Sequence, residues 1–233
     1  LFILLGFTGF TIIRNSEKRN IWVGMARETA HQLGTPISAL MGWIERLKTK
    51  PEDGDKILND MDLDLNRLQQ VNDRFSKMGS ETKLEEINLS EIVEKVVSYL
   101  DRRLPSMGKT VELSNEVDSE ININANGVLI SWAIENVIKN GIDAVDNDGK
   151  ICVRMRKTFK NVVIQIVDSG KGISRKDWRN IFRPGFSSKA QGWGLGLSLT
   201  SRIIKEIHGG SIRVAKSNIG NGTTIEITLP QPN

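Results

Sequence analysis

Two long apolar stripes in succession, each at helical spacing, constrain this 233-residue chain more than any other feature. From Ile21 onward, Met25, Leu33, Ile37, Leu40, Ile44 and Leu47 recur mostly at three- and four-residue steps, the signature of a one-sided helix running to about Lys48. Pro51-Glu52-Asp53-Gly54 punctuates the chain, and a second stripe follows in Ile57, Met61, Leu65, Leu68, Val71, Phe75 and Met78. An antiparallel helical hairpin is predicted. Both stripes are close to heptad spacing and stay apolar along their length, so pairing two hairpins into a four-helix bundle is the economical way to bury them. A homodimer is expected, ahead of a monomer whose hairpin packs on downstream sequence.

Gly79-Ser80-Glu81-Thr82-Lys83 reads as a linker, and the periodicity changes near Leu84. Ser90 to Val97 reads as a capped helix, Lys109–Ser114 and Ile121–Asn124 as short strands, and Asn126–Val145 as a longer helix. Ile151–Thr158 and Val162–Val167 alternate like a β-hairpin around Lys160-Asn161. A helix over Leu197–Ile207 and strands Ser211–Ala215 and Thr223–Leu229 complete the pattern. The expected class is α+β, a helical hairpin followed by a two-layer α/β sandwich.

Composition narrows the partners. With 39% hydrophobic and 26% charged residues the chain has enough apolar material for a packed core. A net charge of +4 set against 32 bases and 28 acids, with no basic run interleaved with aromatics, argues against nucleic acid. One cysteine, Cys152, rules out an internal disulfide framework and any cysteine metal cluster, and suits a reducing compartment. At the start, Leu1–Ile13 is an uncharged apolar run followed by Arg14, Lys18 and Arg19. It reads as the end of a transmembrane helix, since a complete span takes about 20 residues. Bases just after it place the following chain in the cytoplasm, at the inner face of the inner membrane. A signal-peptide core lacks its cleavage site here, and a buried helix start is the plain alternative.

Three stretches carry chemistry. Asp168-Ser169-Gly170-Lys171-Gly172-Ile173 follows an apolar strand directly, placing a carboxylate at a strand end and glycines where backbone turns tightly or approaches a ligand. Such an acceptor suits an exocyclic amine like that of adenine, although a turn without ligand is the better reading of this motif alone. Gly192-Trp193-Gly194-Leu195-Gly196-Leu197 opens a helix, so free backbone N–H groups meet the positive end of a helix dipole, a phosphate cradle. No strand ends just before it, which disfavours a dinucleotide fingerprint. On the long helix Asn136 and Asn140 lie four apart on one face, with Lys139 beside them. An asparagine carbonyl is a hard ligand suited to Mg²⁺ that also touches nucleotide phosphates.

These elements in this order resemble the ATP-binding domain of the GHKL superfamily, and with the hairpin ahead of them the chain is similar to a sensor histidine kinase. The resemblance implies three regions: residues 1–14 as the end of a membrane span and its junction, 15–79 as the dimerisation and histidine phosphotransfer hairpin, and 84–230 as the catalytic ATP-binding domain. It implies ATP and Mg²⁺ as ligands, with Asn136 and Asn140 matching the N motif and Asn140 as metal ligand. Asp168, Gly170 and Gly172 match the first glycine motif, Asp168 on adenine. Gly192, Gly194 and Gly196 match the second, and Phe182 with Phe186-Ser187-Ser188-Lys189 resembles the aromatic segment of the lid. His31 lies at the phosphoacceptor position, with Thr35 and Pro36 in register, and a response regulator is the implied partner. Lys139, Arg183 and Lys189 are the candidate cations for the γ-phosphate.

Two positions depart from the family pattern. The residue after the phosphoacceptor is normally an acidic general base, and here it is Gln32, which leaves Glu28, one helical turn earlier, or solvent to take the proton. Gly185 stands where the lid segment usually carries a bulky aromatic. Hydrolysis by the related route needs a glutamate at position 136, and Glu135 is rotated about 100° from it. Thr35 is expected to position a water for dephosphorylating the regulator, or to bond back to its own helix. The second reading of the whole is an ATP-binding scaffold or sensor without phosphotransfer, for which Gln32 is the main support.

Overall fold

The computed structural model describes residues 23, 26, 29, 30, 32–79, 82–105, 108–117, 120–146, 148–187 and 194–231. The predicted membrane segment over 1–14 lies outside them. None of the described helices is long and apolar enough to cross a membrane. The chain divides into two compact units, Leu1–Glu81 and Thr82–Asn233.

The first unit is a helical hairpin. Helix α1 covers 32–49, with Val23, Ala26, Thr29 and Ala30 helical ahead of it, and it continues through a buried Pro36. It stops where Thr49 turns its hydroxyl onto the carbonyls of Glu45 and Arg46. Lys50 leaves helical geometry at φ −138°, as a residue before proline must. A 3₁₀ turn, Pro51–Asp53, leads into α2, Gly54–Gly79. The helices run antiparallel: Trp43 Nε1 donates to Asp64 Oδ2 at 3.0 Å, and Arg46 pairs with Asp53 at 3.3 Å nearer the turn. On α2 Ile57, Val71 and Met78 are buried, yet Ile37 (47% exposed), Met41 (68%), Ile44, Leu58 (52%), Leu63 and Leu65 face outward. Within one copy the hairpin thus buries only part of its apolar surface.

The second unit is a two-layer α/β sandwich. A five-stranded sheet of order β2-β4-β5-β7-β6 is formed by Thr110–Val117, Asp148–Lys157, Asn161–Asp168, Thr223–Pro230 and Ser211–Ser217. Only β2 and β4 are parallel, and the remaining pairs are antiparallel. Alternation decides the faces. Ile151, Val153, Met155, Ile164, Ile166, Ile225 and Ile227 point into the core under α3 (Leu89–Asp101) and α4 (Gly127–Ala144), with α5 (Gly196–Arg202) packed against α4. The opposite face carries one polar row in register across all five strands: Glu116, Arg154, Gln165, Glu226 and Arg213. Arg154 pairs with Glu116 at 2.8 Å, and Gln165 and Arg213 both donate to Glu226. That row lets the second face meet water.

Three local features differ from the expected pattern. A short strand, β1 (Glu85–Asn88), pairs antiparallel with β3 (Asn122–Ala125). Its four residues are too few to show a period. The cap of α3 is Asn88 rather than Ser90: Asn88 Oδ1 accepts the Glu91 N–H at 3.1 Å, while Ser90 Oγ accepts from Ile121 N. The last long helix is α5 followed by a π-helical segment, Ile203–Ile207, ending at His208.

His208 is 5% exposed and joins two elements. Its Nδ1 donates to the Ile203 carbonyl at 2.8 Å, and its Nε2 accepts the N–H of Asn126, the cap of α4, at 3.0 Å. Only the neutral ring can do both. Burial holds its pKa below the ordinary 6.5, opposed by the bond to Ile203. The neutral-ring contribution is complete above pH 6.5 and is lost as pH falls from there through the lower folded pKa, because the unfolded chain takes up its proton first. The denaturant midpoint is expected to fall between about pH 7 and about pH 5, and His208→Gln to flatten that slope in chemical denaturation series.

Candidate functional site

Helix α4 forms one wall. Asn126 caps it by accepting the Leu129 N–H at 3.1 Å, and ten of its residues, Trp132, Ile134, Val137 and Ile138 among them, are buried. This burial fixes the rotation of the helix and turns Asn136 and Asn140 to one side. Asn140 Nδ2 donates to the Asn136 carbonyl at 2.7 Å, which commits the amide nitrogen and leaves Oδ1 as that side chain's remaining acceptor. Asn136 Nδ2 is a buried donor without a hydrogen-bond partner among the described residues. A buried donor left unsatisfied costs about 1–3 kcal/mol, so this amide calls for a partner.

Gly196, the first residue of α5, stands against this pair. A Cβ placed on it would lie 3.8 Å from Asn140 Nδ2 and 3.9 Å from Asn136 Cγ. The second glycine motif and the asparagine face, far apart in the chain, therefore line the same space.

The first glycine motif closes the other end of α4. Asp168 ends β5 against Gly141, where an added Cβ would meet Asp168 Cβ at 3.3 Å. Asp168 is 8% exposed, and its carboxylate accepts the Gly170 N–H at 2.9 Å. Burial raises its pKa above the ordinary 3.8, against the lowering effect of the Gly170 and Thr223 backbone bonds. A carboxylate so placed gains from any donor that enters the pocket. Gly170 passes close enough to Ala144 that a Cβ would sit 2.6 Å from its carbonyl, and Lys171 N donates to that same carbonyl at 2.9 Å.

A fourth element was missed in the sequence. The turn between β6 and β7 holds the loop from above: Gly222 N donates to Gly170 O at 2.8 Å, and Gly220 N to Lys171 O at 2.9 Å. The cluster Asn218-Ile219-Gly220-Asn221-Gly222 signals a turn, but nothing local says that it meets the Asp168 loop, which lies far earlier in the chain.

The candidate cations separate. Lys139 is bound to the buried Glu135, Nζ to Oε1 at 2.5 Å, so its charge is largely neutralised within the helix. This pair also occupies the glutamate that stands one residue from the asparagine face. Arg183 follows the Asn180–Phe182 turn as its C-terminal cap. Lys189 and Gly192 lie outside the described residues, as do Glu28 and His31. Gln32 is half-buried and Thr35 exposed on α1. The segment between the glycine motifs is closed at its base, where Gly185 N donates to Gly194 O at 3.2 Å. Gly185 has φ +82° with open space around its Cβ direction. Its departure from an aromatic is a backbone requirement, since side-chain-bearing residues rarely adopt that angle.

Among the described residues no cluster of three or more His, Cys, Asp or Glu side chains is placed to hold a metal.

Residues 125–233 match the histidine kinase-, DNA gyrase B-, and HSP90-like ATPase family. Sporulation kinase D of Bacillus subtilis (strain 168) is 30% identical over 219 residues, covering 92% of this chain and 43% of that protein. The chain thus spans less than half of that relative, and 51% of sporulation kinase C of the same organism, at 26% identity. The catalytic domain of histidine kinase ThkA superposes with a TM-score of 0.58 at 29% identity, over 64% of this chain and 97% of that one.

Proposed function

Since residues 125–233 match the histidine kinase-, DNA gyrase B-, and HSP90-like ATPase family, we propose that this chain is the kinase portion of a sensor histidine kinase. It moves the γ-phosphoryl group of ATP onto His31 and then onto an aspartate of a response regulator. The observation that carries this reading is the convergence of Asn136, Asn140 and Gly196 on one space, where the buried Asn136 amide has no hydrogen-bond partner among the described residues.

Asp168 takes an N–H of the adenine amine, Asn136 Nδ2 donates to a phosphate oxygen, and Asn140 Oδ1 is the oxygen available to Mg²⁺. A magnesium ion held through Asn140 Oδ1 would supply charge neutralisation at the nucleotide's phosphates. The neutral imidazole of His31 attacks phosphorus as the bond to ADP breaks, and the ring proton leaves to Glu28 or solvent while Gln32 orients the ring. Lys139 is a weak candidate for the phosphate cation because Glu135 holds it, which leaves Arg183 and Lys189.

The exposed Ile37, Met41, Ile44, Leu58 and Leu65 support a second copy completing a four-helix bundle. Leu1–Ile13, followed by bases, is the anchor that would hold the kinase at the cytoplasmic face of the membrane. Thr35 is the residue for positioning a water in the reverse, dephosphorylating reaction.

Incubation with γ-labelled ATP and Mg²⁺ is expected to leave an acid-labile label on the parent and none on His31→Gln. Label kept by that variant would reject His31, and label absent from the parent that still binds ATP would favour the scaffold reading.

A further inference from the structure

The loop Asp168–Ile173 is held mainly by backbone groups: Ser169 N to Lys150 O, Lys171 N to Ala144 O, Gly222 N to Gly170 O and Gly220 N to Lys171 O. Its last residue is different, because both of its main-chain groups are held by side chains from elsewhere. Ser217 Oγ, at the end of β6, accepts the Ile173 N–H at 2.7 Å, and Trp178 Nε1 donates to the Ile173 carbonyl at 3.1 Å.

Both side chains are themselves held. Ser217 is buried, donates to the Gly222 carbonyl at 3.1 Å and lies 3.0 Å from Thr223 Oγ1, so one hydroxyl ties the loop to the β6–β7 turn that also braces Gly170 and Lys171. Trp178 carries the Arg175 guanidinium stacked on its ring, 3.9 Å from the centroid, which covers the indole face and sets its plane. Elsewhere on the loop the side chains that brace it are its own: Ser169 Oγ accepts from Lys150 N, and Asp168 accepts from Gly170 N.

We propose that Ser217 and Trp178 are positioning residues for the base of the nucleotide: by holding both groups of Ile173 they keep the loop in the path that leaves the Asp168 carboxylate open to the ligand. This inference rests on the reading of the site as an ATP site. It predicts a defect on the base side of the pocket only. The phosphate side is built from Asn136, Asn140 and Gly196, none of which Ser217 or Trp178 touches among the contacts described.

The test is binding of ATP, ADP and inorganic tripolyphosphate to the whole chain, with steady-state autophosphorylation alongside. Ser217→Ala and Trp178→Phe are each expected to weaken ATP and ADP equally, by about tenfold. Tripolyphosphate should be unchanged, and the effect should fall on KM rather than kcat. Ser217→Thr, which keeps the hydroxyl, is expected to retain parent affinity. Unchanged ATP and ADP affinity in both variants overturns the proposal, as does a loss seen with ATP and tripolyphosphate but not with ADP. If Ser217→Ala does not fold, Trp178→Phe decides alone, because it removes the N–H and keeps an aromatic ring in the Arg175 stack. A parent chain that binds neither nucleotide would reject the ATP reading instead, which is a different outcome from tight parental binding that the variants leave unaltered.

Discussion

Gly222→Ala is expected to abolish ATP binding and to destabilise the catalytic unit by more than about 3 kcal/mol, measured by chemical denaturation and nucleotide titration. Two costs combine at this position. The backbone has φ +77°, where an alanine pays about 1–2 kcal/mol. The added Cβ would also fall on the carbonyl oxygen of Asp168, with Ser169 Cα close behind it. Both neighbours are main chain of the loop that forms the pocket floor, so neither can rotate away as a side chain would. Gly220 supplies the control. It has the same φ of +77° but nothing within 4 Å of its Cβ direction, so Gly220→Ala should cost only the backbone term and leave ATP binding nearly intact. Equal losses in the two variants would mean that backbone conformation, not contact with Asp168, governs this turn.

Asn140→Ala is expected to slow formation of the acid-labile label by at least about a hundredfold, the scale seen when one preorganised polar group is removed from a charged transition state. The substitution removes the oxygen proposed for Mg²⁺ and keeps a residue that helices accept well. Stability should therefore change little while the Mg²⁺ dependence of labelling moves to higher concentration. Asn140→Asp, which keeps an oxygen ligand, should retain more activity than Asn140→Ala. A rate unaffected by Asn140→Ala would take this residue out of the metal's coordination.

The helices and most strands were legible because each follows a single local period. The stripe from Ile57 to Met78 lies within α2, and the alternation in β4, β5 and β7 reproduces their buried faces. Misplaced features depended on partners distant in the chain. Strand β1 exists because β3, well downstream, offers it a ladder, with Ile87 opposite Ile123. Asn88 caps α3 because the same pairing places its side chain at the helix start. The role of Glu135 was half visible: its offset from the asparagine face follows from helical geometry, but its bond to Lys139 inside a buried wall required the packing.

For the site, residue types and their order along the chain were enough to propose Asn136, Asn140, Asp168 and the glycines as candidates, since the chemistry of a carboxylate, an amide face and free N–H groups belongs to those residues wherever they lie. Only tertiary structure decided that Gly196 stands against Asn136 and Asn140, that a turn around Gly222 braces the Asp168 loop, and that Ser217 and Trp178 grip Ile173. The physical reason is the range of the signal. Periodicity and turn chemistry act over a few residues and are written in the chain itself. Contacts between the strands of the sheet and the helices that cover it are set by which faces must leave water together, and no segment read alone carries that information.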